Sequence, residues 1–444
     1  MNRSVALETL GCKVNQYESS QIVELLCQAG YESVSFRQKA DVYIVNSCAV
    51  TAKASFQTRQ LLRRARRLHP NAAIVVAGCA AQVEPHRFVQ ETLATHILGL
   101  SEKYDVVRWL DTPASVEQPC CVVGEPRQNG AFRNIPVHHM AAFRTRAILK
   151  VQDGCDAFCS YCIVPLSRGK SRSLPLTEVR AQFLRFREAG YSEVVLSGIH
   201  LGQWGKDLQP ATRLVELVDY LQGEAPCPRL RFSSLETMEW HDGLIQGLDR
   251  WRGICAHFHV PLQSGDAEIL RRMHRPYSPK DFSEVVYELH RLCPTAALGS
   301  DVMAGFPGES PAQFRNTLEF IEKLPLSYLH VFPYSPRPGT QAARWPSRVT
   351  GTELKRRAQA LRDLSGRMRM RFHSRFLKRT VEVLVEGQEK GENGWFQGTT
   401  DNYLKVRFPA PQGLTPGARI WVKIREVSEN GLIGTLAAIA TKLG

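Results

Sequence analysis

The sequence predicts an α/β protein in three parts: a small N-terminal domain on a parallel sheet, a larger domain of six β/α units, and a small C-terminal β-barrel. Three observations carry this. Buried-type strands and amphipathic helices alternate over the first third of the chain. The same rhythm restarts after a Pro/Gly-bearing stretch and runs for six rounds. Five short strand-like segments then crowd the region from Val381 to Ala437. A length of 444 residues agrees with about three domains.

The first strands are Val5–Leu10, Asp41–Ser47 (DVYIVNS) and Ala72–Gly78 (AAIVVAG), apolar runs of strand length. Between the first two, Ile22, Leu25, Leu26 and Ala29 recur at helical spacing, with Gly30 placed as a C-cap. Thr51–Leu68 forms a second helix, closed by His69-Pro70. Strands joined through helices of this length pair in parallel. Thr112–Val137 is weakly patterned and reads as a linker. The six strands that follow are Ala147–Gln152, Glu193–Ser197, Arg229–Ser234, His257–Leu262, Leu298–Gly305 and Ser327–Tyr334. Pro175–Ala189 and Ser278–Leu292 are the clearest intervening helices. Six such units make a doubly wound sheet or a partial barrel, and both place chemistry at the C-terminal ends of the strands. The last segments are Val381–Val385, Trp395–Gly398, Tyr403–Phe408, Arg419–Val427 and Leu432–Ala437. They suit a small closed barrel of the oligonucleotide-binding kind. The domains are expected over 1–115, 141–372 and 373–440.

Composition narrows the function. Apolar residues at 43% and charged residues at 23% exclude a disordered chain. Lys and Arg outnumber Asp and Glu by 57 to 43, a charge of +14 that points to a polyanionic partner, nucleic acid before membrane. No apolar run is long enough to span a bilayer, and Met1–Val14 lacks the apolar core of a secretory leader. A reducing, cytoplasmic setting is expected, where the twelve cysteines are thiols or metal ligands before disulfides.

Cys155, Cys159 and Cys162 form Cys-x3-Cys-x2-Cys just after the first strand of the six-unit domain. Three thiolates on one short loop can hold three corners of a four-iron, four-sulfur cluster and leave one iron open to a small molecule. A structural zinc would want a fourth ligand, and no well-placed Cys or His lies nearby. A second triad is spread along the chain. Cys12, Cys48 and Cys79 follow the first, second and third strands, whose carboxyl ends share one sheet edge. Three core thiols are the plain alternative. The same structural position occupied three times argues instead for a second three-thiolate site. Cys27, Cys120, Cys121, Cys227, Cys255 and Cys293 read as structural.

The segment DGCDAFCSYCIVPLSRG, with Tyr161 before its last cysteine, resembles the signature of the radical S-adenosylmethionine (SAM) enzymes. Together with Cys12, Cys48 and Cys79 the chain resembles the methylthiotransferase family over nearly its whole length. TLGCKVNQYES at Thr9–Ser19, LSGIHLGQWG at Leu196–Gly205, HVPLQSGD at His259–Asp266, DVMAGFPGE at Asp301–Glu309 and HVFPYSPRPGT at His330–Thr340 carry the likeness. The C-terminal part resembles the TRAM domain, an RNA-binding barrel. GCKVNQYE and GIHLG are similar to the branch that modifies N6-threonylcarbamoyladenosine in tRNA; branches acting on isopentenyladenosine or on a ribosomal protein differ after the first cysteine.

The resemblance implies a partial barrel, two [4Fe-4S] clusters and SAM as cofactors, and a one-electron reductant such as flavodoxin or ferredoxin. Cys155, Cys159 and Cys162 would hold the cluster that binds and cleaves SAM to a 5′-deoxyadenosyl radical. Cys12, Cys48 and Cys79 would hold the cluster that carries the sulfur. The cofactors supply the hard step and the protein supplies orientation, with no side chain required as a general base. Implied SAM contacts are Tyr161, Gly198, Glu236 and Gln263, and Gly305-Phe306-Pro307-Gly308 reads as a cofactor-proximal turn, with a structural turn as the alternative. Where the family usually has proline after that glutamate, this chain carries Thr237.

RNA binding has separate support. Between Arg344 and Arg379 twelve Lys or Arg face two acids, Glu353 and Asp363, and Arg63, Arg64, Arg66 and Arg67 form a second basic cluster. Such runs are often merely solvated helix faces. Trp395, Phe396, Tyr403 and Phe408 include candidate stacking platforms, with at least two expected in the barrel core. The expected activity is methylthiolation of threonylcarbamoyladenosine in a tRNA anticodon stem-loop. The alternatives are the same chemistry on isopentenyladenosine or a ribosomal protein, and a non-catalytic iron–sulfur protein that binds RNA.

Overall fold

Val42–Ser47 is buried along its whole length and Ala73–Gly78 along nearly all of it, the condition of central strands in a parallel sheet covered on both faces. The computed structural model describes residues 3–126, 132–140, 145–224, 227–389, 394–409 and 413–439. The expected domain limits at 1, 141 and 440 lie outside them. The N-terminal sheet is all parallel, in the order Glu32–Val34, Ser4–Thr9, Val42–Ser47, Ala73–Gly78, His96–Leu98, Cys120–Val122. The chain steps outward from the first strand to Glu32–Val34 and then returns past it to Val42–Ser47. A topological switch therefore falls between Ser4–Thr9 and Val42–Ser47.

This sheet has six strands where three were expected. Glu32–Val34, His96–Leu98 and Cys120–Val122 are three residues each, too short to display a period. Cys120–Val122 also corrects the linker reading of Thr112–Val137. It pairs with His96–Leu98 and carries the sheet past residue 115.

The six-unit domain is a partial barrel. Arg229–Phe232, Glu193–Ser197 and Ala147–Lys150 form one parallel half, and His257–His259, Ala297–Ala304 and Tyr328–Pro333 the other. The halves meet through a bridge of Leu230 to Ile254 and a bond from Leu235 N to His259 O at 3.0 Å. Cap chemistry sets the helix starts. Ser278 and Ser310 each open a capping box followed by Pro at the first helical position, for helices Pro279–Leu292 and Pro311–Glu322. The N-terminal helix Lys13–Gln28 packs on the edge strand Ala147–Lys150, and the long helix Gly351–Ser374 packs on the opposite edge, Tyr328–Pro333.

The C-terminal strands Thr380–Gln388, Trp395–Thr400, Lys405–Pro409, Arg419–Ser428 and Gly431–Ile439 close into a barrel. The third and fifth pair in parallel and the others antiparallel. Register shifts in Arg419–Ser428 supply the bends that closure requires. Phe396 and Phe408 lie in its core, while Tyr403 is 42% exposed. Phe372 and Phe376 at the end of the long helix enter the same core. No described helix is long and apolar enough to cross a membrane.

Candidate functional site

The first thiol site is built from strand ends. Cys12 is the N-cap of helix Lys13–Gln28, Cys48 directly follows Val42–Ser47, and Cys79 opens the short helix Cys79–Val83. They therefore stand at the carboxyl edge of three neighbouring strands, at the switch point. Gly11 is required there: its φ is +100°, and a Cβ would lie 2.8 and 2.9 Å from Cβ and Sγ of Cys48. The Asn15 side-chain amide donates to Leu10 O at 2.8 Å and Ser47 O at 3.0 Å, tying the Cys12 loop to the Cys48 loop.

The second site is the loop after Ala147–Lys150. Gly154, at φ +74°, passes so close to the chain that a Cβ would meet Lys170 O at 1.9 Å. Cys155 Sγ lies 3.4 Å from Nδ1 of His200, whose Nε2 is 2.8 Å from Glu239. Burial opposes protonation of His200, but its bonds to Cys155 and Glu239 prevail and raise its pKa to about 10. Arg275 Nη1 donates to Cys159 Sγ at 3.2 Å, and its other end pairs with Glu236.

Burial pushes Cys48 and Cys162 up to about 12, and raises Cys79 and Cys159 as well. Within each triad the neighbouring thiols push in the same direction. Such groups stay protonated by themselves and become ligands when a bound cation supplies the opposing charge.

The two sites are held together by a buried charge network. Arg168, from the helix Val164–Arg168 that follows Cys162, donates to Glu18 at 2.9 Å, to Asp153 at 2.7 Å and to Asn15 at 2.6 Å. Lys103 and Lys150 complete the contacts of Glu18 at 2.6 and 2.7 Å. The helix led by Cys79 packs on the helix that follows Cys162, and Ile163 joins the apolar cluster of Cys79, Ala80 and Ala81. The helix led by Cys79 and the segment just after the cysteine loop are thus packed neighbours.

Of the four expected SAM contacts, Glu236 lies at the loop, through Arg275. Tyr161 turns its ring edge-on to Phe306, at a centroid distance of 6.4 Å, and braces the loop on the Gly305–Gly308 turn. The space beside Gly198 is filled by protein: a Cβ there would meet Gln152 Oε1 at 2.8 Å, and that oxygen accepts from His200 N. Gln263 lies four residues past the strand His257–His259, with φ +68° and its backbone bonded to Asp301 O and Met303 N. Thr237 begins a 3-10 turn, Thr237–His241, capped by Glu236. Asn15, Glu18, Arg168 and His200 were missed as functional although they stand inside the quoted motifs, and Arg275 had no sequence signal. His259, Asp301 and His330, which open three of those motifs, converge in the half-barrel, Asp301 lying 3.0 Å from His259 and 3.4 Å from His330.

The comparisons with known proteins match this architecture. Uncharacterized protein family UPF0004 matches residues 4–99 and the radical SAM superfamily residues 149–321. The threonylcarbamoyladenosine tRNA methylthiotransferase MtaB of Bacillus subtilis is 38% identical, over 95% of this chain and 93% of that protein. The protein of the same name from Thermotoga maritima is 34% identical, over 98% and 97%. This chain belongs to the radical SAM methylthiotransferase family. The methylthiotransferase is accordingly an enzyme, a transferase, with SAM and [4Fe-4S] clusters as its cofactors. The tRNA-2-methylthio-N(6)-dimethylallyladenosine synthase of Moorella thermoacetica is a relative at 30% identity, over 92% of each chain. Among solved structures, the radical SAM methyltransferase TsrM of Kitasatospora setae matches 77% of each chain at a TM-score of 0.53 and 15% identity, a likeness of fold.

Proposed function

We propose that this methylthiotransferase converts N6-threonylcarbamoyladenosine beside the tRNA anticodon to its 2-methylthio derivative. Cys155, Cys159 and Cys162 would hold the cluster that binds SAM, and Cys12, Cys48 and Cys79 would hold the second cluster. The observation that supports the reading is the packing of the Cys79 helix on the helix that follows Cys162, which joins the elements that carry the two cysteine triads. The branch assignment is supported by the relatives: those named for threonylcarbamoyladenosine reach 38% identity and those named for dimethylallyladenosine reach 31%.

When bound, the first cluster would supply the electron that cleaves SAM, and the second would supply or hold the transferred sulfur, whose methyl group comes from a second SAM. The chain's residues hold and orient. Arg275 keeps a positive charge beside Cys159 and is itself fixed by Glu236 and the Tyr277 hydroxyl. Tyr161 holds the cysteine loop, Gly198 lets Gln152 and His200 approach one another, and Glu236 and Gln263 line the cofactor side of the half-barrel. Arg168 and Asn15 hold the second site in register with the first. The C-terminal barrel is of the TRAM kind and, with the exposed face of the Gly351–Ser374 helix, takes the anticodon stem-loop. Flavodoxin or ferredoxin delivers the electron, in the cytosol.

Nucleoside mass spectrometry on tRNA from cells with and without the gene tests this. Loss of 2-methylthio-N6-threonylcarbamoyladenosine with accumulation of its precursor is expected. Persistence of that nucleoside while the isopentenyl one disappears would overturn the branch assignment. If neither changes, in cells that make both, the tRNA reading falls.

A further inference from the structure

Where the three domains meet, polar groups gather that neither thiol site uses. Tyr403, between two strands of the C-terminal barrel, holds φ +66° and stacks on His257 of the half-barrel, ring centroids 4.6 Å apart. The guanidinium groups of Arg231 and Arg146 lie 5.0 and 5.5 Å from the centroid of its ring. Lys13, the residue after Cys12, lies in the same space, within electrostatic reach of Tyr403, Arg231, Arg146 and His257.

Arg231 is fully occupied, pairing with Glu193 at 2.6 Å and donating to the backbone oxygens of Thr400 and Asp401. The others are not. Arg146 bonds Glu386 through Nη2 at 2.6 Å, while its buried Nη1 has no partner. His257 bonds Tyr328 through Nε2 at 2.7 Å, while its buried Nδ1 has none. Lys13 makes no ion pair or side-chain hydrogen bond among the described residues. Buried polar nitrogens without partners are uncommon and costly. Collected beside an unpaired ammonium, they complement an anion rich in acceptor oxygens.

We propose that this junction receives the carboxylate of the threonylcarbamoyl group, with Lys13 as its counter-charge and Arg146 Nη1 as a second donor. The inference rests on the substrate reading above and deepens it: Lys13 is a specificity-determining residue. A hydrocarbon N6 substituent would leave the same groups unpaired, which is how a polar site rejects an apolar analogue. Lys13 directly follows Cys12, so the group that reads the N6 substituent stands beside the site that carries the sulfur.

The test uses the full-length, cluster-loaded protein and three anticodon stem-loops differing only at N6: threonylcarbamoyl, its methyl ester, and unmodified. Fluorescence anisotropy reads affinity and mass spectrometry reads turnover. Wild type should bind the acid at least about tenfold tighter than the ester, the scale of one charge-assisted bond. Lys13→Met should abolish that preference with iron content unchanged, and Lys13→Arg should keep most of it. If wild type methylthiolates the acid but binds acid and ester alike, or if Lys13→Met still distinguishes them, the Lys13 assignment falls and the substrate reading stands. If wild type turns over no threonylcarbamoyl RNA, both fall.

Discussion

Arg168 and Glu18 stand 150 residues apart in the chain and meet in the interior, Nη1 to Oε1 at 2.9 Å, with neither side chain more than 2% exposed. Glu18 comes from the N-terminal helix and Arg168 from the segment just after the Cys-x3-Cys-x2-Cys loop. Three cations, Arg168, Lys103 and Lys150, surround this one carboxylate, and Asp153 shares two of them. A network of this kind adds little net stability over an apolar replacement, but each member depends on the rest. Its value here is positional, because it sets the two thiol sites relative to each other.

Glu18→Gln should therefore be severe, leaving three buried cations with Asp153 alone. A loss of about 3–5 kcal/mol is expected, the usual cost of removing one partner from a buried pair. Urea denaturation under anaerobic conditions measures it. The double variant Glu18→Gln, Arg168→Met should recover part of that loss, since it removes a stranded charge as well.

Stability should also fall in acid. Burial opposes ionisation of Glu18 and Asp153, yet Arg168, Lys103 and Lys150 around Glu18, and Lys150, Arg168 and Arg172 around Asp153, prevail and hold both below the ordinary carboxylate range. A carboxylate whose pKa is lower folded than unfolded contributes stability above its unfolded value, about 4, and loses it as pH falls through the folded one. Urea midpoints at a series of pH values below about 5 should decline for wild type. In Glu18→Gln the decline should be shallower.

The triads separate by iron content and product. Replacing Cys155, Cys159 and Cys162 together by Ala should leave about four of about eight irons and abolish 5′-deoxyadenosine. Replacing Cys12, Cys48 and Cys79 should also leave about four irons but retain SAM cleavage, with no methylthio product. Iron assay and chromatography of the nucleosides distinguish the two.

RNA affinity should depend on salt through a part of the basic helix. Arg357 is buried and bound to Glu309 and Glu353, so it belongs to the fold. Arg362 and Arg371 on this helix, and Lys378 just past its end, are exposed. Changing these three to Gln should reduce the slope of log K against log salt by about 2, if each meets one phosphate of a single strand. Unchanged slope would remove this helix from the RNA interface.

Much of the fold was legible. The six half-barrel strands and the five barrel strands fall on the apolar runs that predicted them, the fourth shortened to His257–His259, and Ser278 marks a helix start by a side chain that accepts from Asp281 N. The gathering of Cys12, Cys48 and Cys79 followed from one fact, that parallel strands end on a common edge. Glu32–Val34, His96–Leu98 and Cys120–Val122 escaped because three residues hold too little pattern.

The sequence alone determined the layers, the cysteine spacing and the edge on which the thiols lie, since these depend on neighbours along the chain and on the geometry of one sheet. Tertiary structure decided which charges meet. Glu18 and Arg168 sit in recognisable motifs, yet nothing local says that they pair. Tyr403 reads as the first residue of a barrel strand, but the strand begins at Lys405 and Tyr403 lies in the turn before it, against His257 of another domain. Ion pairs and inter-domain stacking depend on which finished surfaces face one another, and that is fixed only when all three domains have docked.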